Sequence, residues 1–97
     1  MSIEPRYKEK IIRILSALFP DTRIILYGSR ARETQRLFSD IDLALDAGKE
    51  ISRHDIQEAI SMLQESNVPY KIDIVDLWAV RDEMRKAIQK EGIVWKT

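Results

Sequence analysis

Residues 27–43, YGSRARETQRLFSDIDL, decide how the rest of the chain is read. A short apolar run, Ile24-Ile25-Leu26-Tyr27, leads into them and stops at Gly28-Ser29. A polar, arginine-rich segment follows. Two carboxylates, Asp40 and Asp42, then stand one residue apart at the head of a second apolar run made by Ile41, Leu43, Ala44 and Leu45. A strand that ends in Gly-Ser and a strand that begins with Asp-x-Asp, joined by about a dozen residues, suggest one site at one end of a sheet. If the two strands run antiparallel, Gly28-Ser29 and Asp40-x-Asp42 share an edge.

On the N-terminal side, residues 5–19 read as a helix. Pro5 suits a first turn, Tyr7, Ile11, Ile14, Leu15 and Leu18 recur at helical spacing, and Lys8, Glu9, Lys10 and Arg13 fill most of the other face. Pro20-Asp21 ends it. Residues 23–27 form a short, nearly all-apolar strand, the pattern of an inner position in a sheet. Residues 29–35 have the makings of a short helix with Ser29 near its N-cap. On the C-terminal side, Leu37-Phe38-Ser39 leads into a strand over 40–45, and residues 46–49 make a turn. Ser52 and Asp55 have capping-box spacing, with Asp in place of the preferred Glu. Ile56, Ala59, Ile60 and Leu63 continue as a helix of about three turns. Asn67-Val68-Pro69 breaks it, and residues 70–75 alternate as a third strand. Asp76 is placed to cap a last helix bearing Val80, Met84, Ala87 and Ile88 on one face, with Gly92 as its stop. Ile93-Val94-Trp95 can add an edge strand. The order α-β-α-β-α-β-α is that of an α/β (α+β) domain in which helices cover a small sheet.

The totals fit a single domain over 1–97. With no Cys, the sequence offers neither a disulfide nor a thiolate metal site, which fits a reducing cytoplasm. Apolar runs fall well short of the about 18 residues of a membrane span, and the N-terminus lacks the apolar core of a signal peptide. The 16 basic and 16 acidic residues cancel, so the chain lacks the basic excess of a protein that binds nucleic acid unaided.

Asp40 and Asp42 fall on one face of their strand. Asp is depleted in strands, and like charges so close oppose each other's ionisation unless a cation sits between them. A hard divalent ion with oxygen ligands, Mg²⁺ or Mn²⁺, removes the conflict; a solvated polar face is the plainer alternative. Asp73 is a third mid-strand carboxylate, for which Lys71 offers an ordinary ion-pair partner. Three such carboxylates can hold two metal ions that clamp a phosphoryl group. Gly28 allows close backbone approach to a ligand, and N–H groups of a helix starting after Ser29 attract phosphate. Arg30, Arg32 and Arg36 can neutralise a triphosphate, or form a solvated face offset by Glu33 and Asp40. His54 has no His or Cys companion and reads as a surface residue. Tyr70, Trp78 and Trp95 can touch a base or a partner, or simply pack.

Tyr27-Gly28-Ser29, ten residues, then Asp40-Ile41-Asp42-Leu43 resembles the signature of the DNA polymerase beta-like nucleotidyltransferase superfamily. The local form, GSRAR followed by SDIDLAL, is similar to that of the small prokaryotic minimal nucleotidyltransferases of the HEPN/MNT antitoxin type. YKIDIVDL resembles the strand that carries the family's third carboxylate, and EGIVW its C-terminal ending. The resemblance implies a nucleotidyltransferase fold with a small mixed sheet. By the same resemblance Gly28, Ser29 and Arg30 bind the nucleotide, while Asp40, Asp42 and Asp73 are catalytic and hold two Mg²⁺ ions. Asp73 also helps to activate the attacking hydroxyl. Glu33 departs from the pattern, since many relatives have Gly there.

The resemblance further implies a cytoplasmic, metal-dependent enzyme that transfers a nucleoside monophosphate, AMP from ATP, to a hydroxyl on a HEPN-domain partner, and so acts as an antitoxin in a homo- or hetero-oligomer. The alternatives are transfer to a small molecule, as in aminoglycoside nucleotidyltransferases, and a non-catalytic module that neutralises its partner by occlusion.

Overall fold

The computed structural model describes residues 3–28, 30–31 and 40–97. Helix α1 spans Pro5–Leu18, with Pro5 in its first turn and Ile11 and Leu15 fully buried. Glu4 precedes it without a side-chain cap, because its carboxylate receives Arg6 Nε at 2.8 Å instead. Strand β1, Arg23–Tyr27, and strand β2, Ile41–Asp46, pair antiparallel with Tyr27 opposite Asp42. Helix α2, Arg53–Gln64, starts at Ser52, whose hydroxyl accepts the Asp55 N–H at 3.1 Å, so the Asp variant of the capping box does form a cap. Strand β3, Ile72–Asp76, lies parallel to β2, as it must after a helical crossover. Helix α3, Asp82–Glu91, and strand β4, Ile93–Lys96, follow, with β4 antiparallel to β1.

The sheet order is β3-β2-β1-β4, so the apolar β1 does take an inner position. The expected helix over 29–35 falls largely outside the described residues, as do Ser29, Arg32, Glu33, Arg36 and the lead-in 37–39. β2 begins one residue later than expected, at Ile41, and β3 two later, at Ile72. The two shifts have one cause: Ile41 and Ile72 are the first pair of the parallel ladder, so β3 starts only where β2 offers a partner.

The two faces of the sheet differ. Ile24, Leu26, Leu43, Leu45, Ile72 and Ile74 pack with Ile11, Leu15, Ala59 and Leu63 into the main core beneath α1 and α2. Each such side chain withdrawn from water contributes about 1.5–3 kcal/mol before entropy is counted. On the opposite face Ile25, Ala44, Leu77 and Ile88 form a smaller core, with Tyr27 and Val75 at its margin. Among the described residues α3 is the helix that packs there, through Ile88.

Asp76 does not cap α3. It is 7% exposed, and its two oxygens accept the N–H groups of Ile51 at 2.7 Å and Trp78 at 3.0 Å. Those bonds close the turn after β3 and tie it to the approach to α2. Helix α3 instead begins after Arg81, which provides no side-chain cap, and Val80 lies before it. Gly92 does end α3, but with φ −70° and ψ 153° it is extended rather than left-handed. Its lack of a side chain serves close approach: a Cβ there would fall on Ile25 Cγ2 and the Ile88 carbonyl.

Candidate active site

Tyr27, Asp42 and Asp73 form one rung across three adjacent strands, and so share the face that α3 covers. Antiparallel pairing brings Tyr27 to Asp42, and the parallel crossover brings Asp73 to the other side of Asp42. Asp42 is half-buried and Asp73 exposed. Asp40 lies just before β2, with its carboxylate 3.9 Å from Lys71 Nζ. The ammonium anticipated for Asp73 therefore pairs with Asp40, in an exposed contact of the kind that adds little stability.

Gly28 follows Tyr27 with φ +77°, a left-handed conformation that favours glycine. A Cβ at this position would stand 2.5 Å from Asp42 Oδ2. The bare backbone thus turns directly over the carboxylate, leaving a cradle that any side chain would fill. Like charges side by side on neighbouring strands disfavour the sheet. Oxygen-only donors of this kind suit a hard divalent cation, which removes that cost. The arrangement fits a metal-assisted phosphoryl site.

Tyr27 is a site residue that the sequence reading passed over. Burial first, and the charges of Asp42 and Asp73 second, push its phenol up to about 12. It stays protonated and can serve as a hydrogen-bond donor beside two carboxylates. It also lines a cavity of about 80 Å³ with Gly28, Met84, Ala87, Ile88 and Glu91. Its aromatic character was visible in the sequence, but its place on the rung depends on the register.

Arg30 is 4% exposed, with its guanidinium carbon 4.9 Å from the centroid of the Tyr70 ring. Trp78 Nε1 donates to Asp46 Oδ1 at 2.7 Å, at the other end of β2 from Asp42. Trp95 is half-buried, with Lys8 Nζ 5.4 Å from its ring centroid. His54 is exposed, as expected, with Glu58 Oε2 at 3.9 Å. His54, Asp55 and Glu58 bring ligand-type atoms within 4.8 Å of one another on the surface of α2.

Comparison with known proteins gives the family and the fold. A family model described as "Polymerase beta, Nucleotidyltransferase" matches residues 9–96. The chain is 31% identical over 84 residues to the "Probable protein adenylyltransferase MntA" of Haemophilus influenzae, covering 84% of this chain and 71% of that protein. A crystal structure of a toxin–antitoxin with AMP-PNP superposes with a TM-score of 0.78 at 28% identity, over 91% of this chain and 71% of that one. A tri-AMPylated Shewanella oneidensis HEPN toxin in complex with MNT antitoxin gives 0.74 at 23% identity, over 96% and 71%, and shows the shared fold.

Proposed function

We propose, from the premise that this chain belongs to the polymerase beta nucleotidyltransferase family, that residues 1–97 form one nucleotidyltransferase domain that moves AMP from ATP to a hydroxyl on a HEPN-type partner protein, as an antitoxin. The observation that carries the reading is the register: Asp42 faces Asp73 across β2 and β3, and the Gly28 backbone lies against the Asp42 carboxylate. The choice of AMP and of the partner draws on the relatives, one named as a protein adenylyltransferase and others solved as toxin–antitoxin complexes, one of them with AMP-PNP.

Asp40, Asp42 and Asp73 would hold two divalent cations, Mg²⁺ with Mn²⁺ as a substitute, which when bound neutralise the triphosphate and the charge that builds on the leaving group. Gly28 and Ser29 receive the triphosphate. The acceptor hydroxyl attacks the α-phosphorus in line. A new P–O bond forms, the bond to pyrophosphate breaks, and the hydroxyl proton passes to the Asp73 carboxylate, which is exposed and thus reachable by an incoming group. Tyr27 keeps its proton and offers a donor on the same rung.

A partner chain would supply what this face lacks. Among the described residues α3 covers the smaller core, and no second helix walls the rung opposite the nucleotide. Proximity and orientation supply much of the rate in such a displacement, so a docked acceptor matters more here than in an enclosed pocket. The balance of charge argues against direct binding of nucleic acid by this chain alone. No helix among the described residues is long and apolar enough to cross a membrane, and we place the pair in the cytoplasm, where ATP is abundant.

The test is transfer to the purified partner with Mg²⁺ and ATP, read by intact-protein mass. The partner should gain the mass of AMP, and Asp40→Asn and Asp42→Asn should each abolish the gain. Variants that add no AMP yet neutralise the partner as well as the wild type would establish occlusion instead.

A further inference from the structure

Arg30 comes two residues after the turn at Gly28, yet its side chain is packed inward rather than displayed to a ligand. At 4% exposure it offers almost no surface to a triphosphate arriving from solvent. Its guanidinium lies over the Tyr70 ring, 4.9 Å from the centroid, the stacking geometry that suits Arg better than Lys. Tyr70 is fixed in turn. Tyr7 of α1 meets it edge-on, with centroids 5.9 Å apart and planes at 77°, and Arg6 lies 4.7 Å from the centroid of Tyr7.

Tyr70 packs against the main core, on the sheet face opposite the carboxylate rung, but at the same end of the sheet, just before β3. The next residue, Lys71, accepts the Ile41 N–H at 2.9 Å through its carbonyl and brings its ammonium within 3.9 Å of Asp40. Strand β3, with Asp73 as its second residue, begins immediately after. Tyr70 is therefore linked to both halves of the site: to the residues after Gly28 through its ring and Arg30, and to the start of β3 through the chain, which runs on into Lys71 and Asp73.

We propose that Arg30 and Tyr70 form a latch that sets the turn at Gly28 against the carboxylate rung, so that Arg30 is a positioning residue acting through Tyr70 rather than a direct phosphate ligand. The latch rests on the nucleotidyltransferase reading. It accounts for an arginine beside the turn whose guanidinium lies against an aromatic ring. A turn held at a fixed height needs no reorganisation when nucleotide arrives, so loss of the latch appears in nucleotide affinity more than in the rate once nucleotide is bound.

The experiment compares the wild type with Arg30→Met, Tyr70→Leu, Tyr70→Phe and the Arg30→Met/Tyr70→Leu double variant. Mg²⁺·ATP affinity is measured by calorimetry, AMP transfer to the partner by steady-state kinetics, and Tm by thermal scan. Tyr70→Phe keeps the ring face and should match the wild type. Each of the other single variants should raise the Kd and KM for ATP about tenfold, with kcat changed less than about twofold. The double variant should be no worse than the singles, since both remove one interaction.

Three results would overturn the latch. One is a Tyr70→Leu chain with wild-type ATP affinity beside a weakened Arg30→Met chain, which would make Arg30 a direct ligand. Another is additive effects in the double variant. The third is a lowered Tm with an unchanged KM, which would leave the stack a plain packing contact. If the wild type itself binds no ATP, the functional reading fails first, and the latch as a nucleotide-positioning device falls with it.

Discussion

Gly28 is where the backbone and the chemistry meet most tightly. Gly28→Ala would force a side chain into a left-handed conformation and onto Asp42 Oδ2. It should cost about 1–3 kcal/mol of stability and remove the rise in Tm that Mg²⁺ and ATP are expected to give the wild type. Asp42→Asn should remove the same rise while leaving the fold intact, because it keeps the side-chain shape and loses the charge. Tyr27 gives a pH prediction. In the metal-free chain the folded state holds the phenol proton up to about 12, whereas the unfolded chain releases it near 10. Between those values the unfolded state binds fewer protons, so stability falls as pH rises. Relative to Tyr27→Phe, the wild type should lose about 1 kcal/mol over that window, solvent screening of a half-exposed phenol being allowed for. Urea titrations at about pH 9, 10, 11 and 12 would measure the difference. Asp42 and Asp73 were legible because carboxylates are out of place in apolar strands. Tyr27 was not, because a tyrosine at the end of a strand is ordinary until the register puts it beside two charges. The inward packing of Arg30 was equally hidden: its partner Tyr70 is far off in sequence.

At the scale of elements, the signals that survived are local ones. The Ser52 cap, the Pro5 start of α1 and the apolar β1 follow from short-range rules, and the structure bears out all three. Asp76 was misread because an Asp before a helix has two possible uses, and only the fold shows that Ile51 reaches it. Asp76→Ala would leave the N–H groups of Ile51 and Trp78 without their acceptor, and should cost about 3 kcal/mol in urea denaturation. Asp76→Asn keeps one carbonyl acceptor and should cost about half as much. If both substitutions cost less than about 0.5 kcal/mol, the turn after β3 is held by something else. Gly92 was read as a helix stop, and it is one, but for want of room beside Ile25 rather than for left-handed backbone.

At the scale of the molecule, the short connection between β1 and β2 was enough to anticipate that Gly28 and Asp42 meet if the strands run antiparallel, as they do, whereas the parallel pairing that brings Asp73 beside Asp42 was not read from the sequence. The acceptor was not legible from residues alone, because in the proposed reaction it belongs to another chain. Strand β4 has a separate consequence. It returns from the far end of the sequence to lie along β1, and Lys96 Nζ fastens it to the carbonyls of Pro20 at 2.9 Å and Thr22 at 3.2 Å. Without it, Ile24-Ile25-Leu26 would become a bare apolar edge, a template on which further strands can assemble. A chain cut before Ile93 should therefore self-associate, eluting early on size exclusion and scattering light at concentrations where the intact chain is clear. The last strand would then govern solubility, and trimming by a protease would turn the domain into a seed for aggregates.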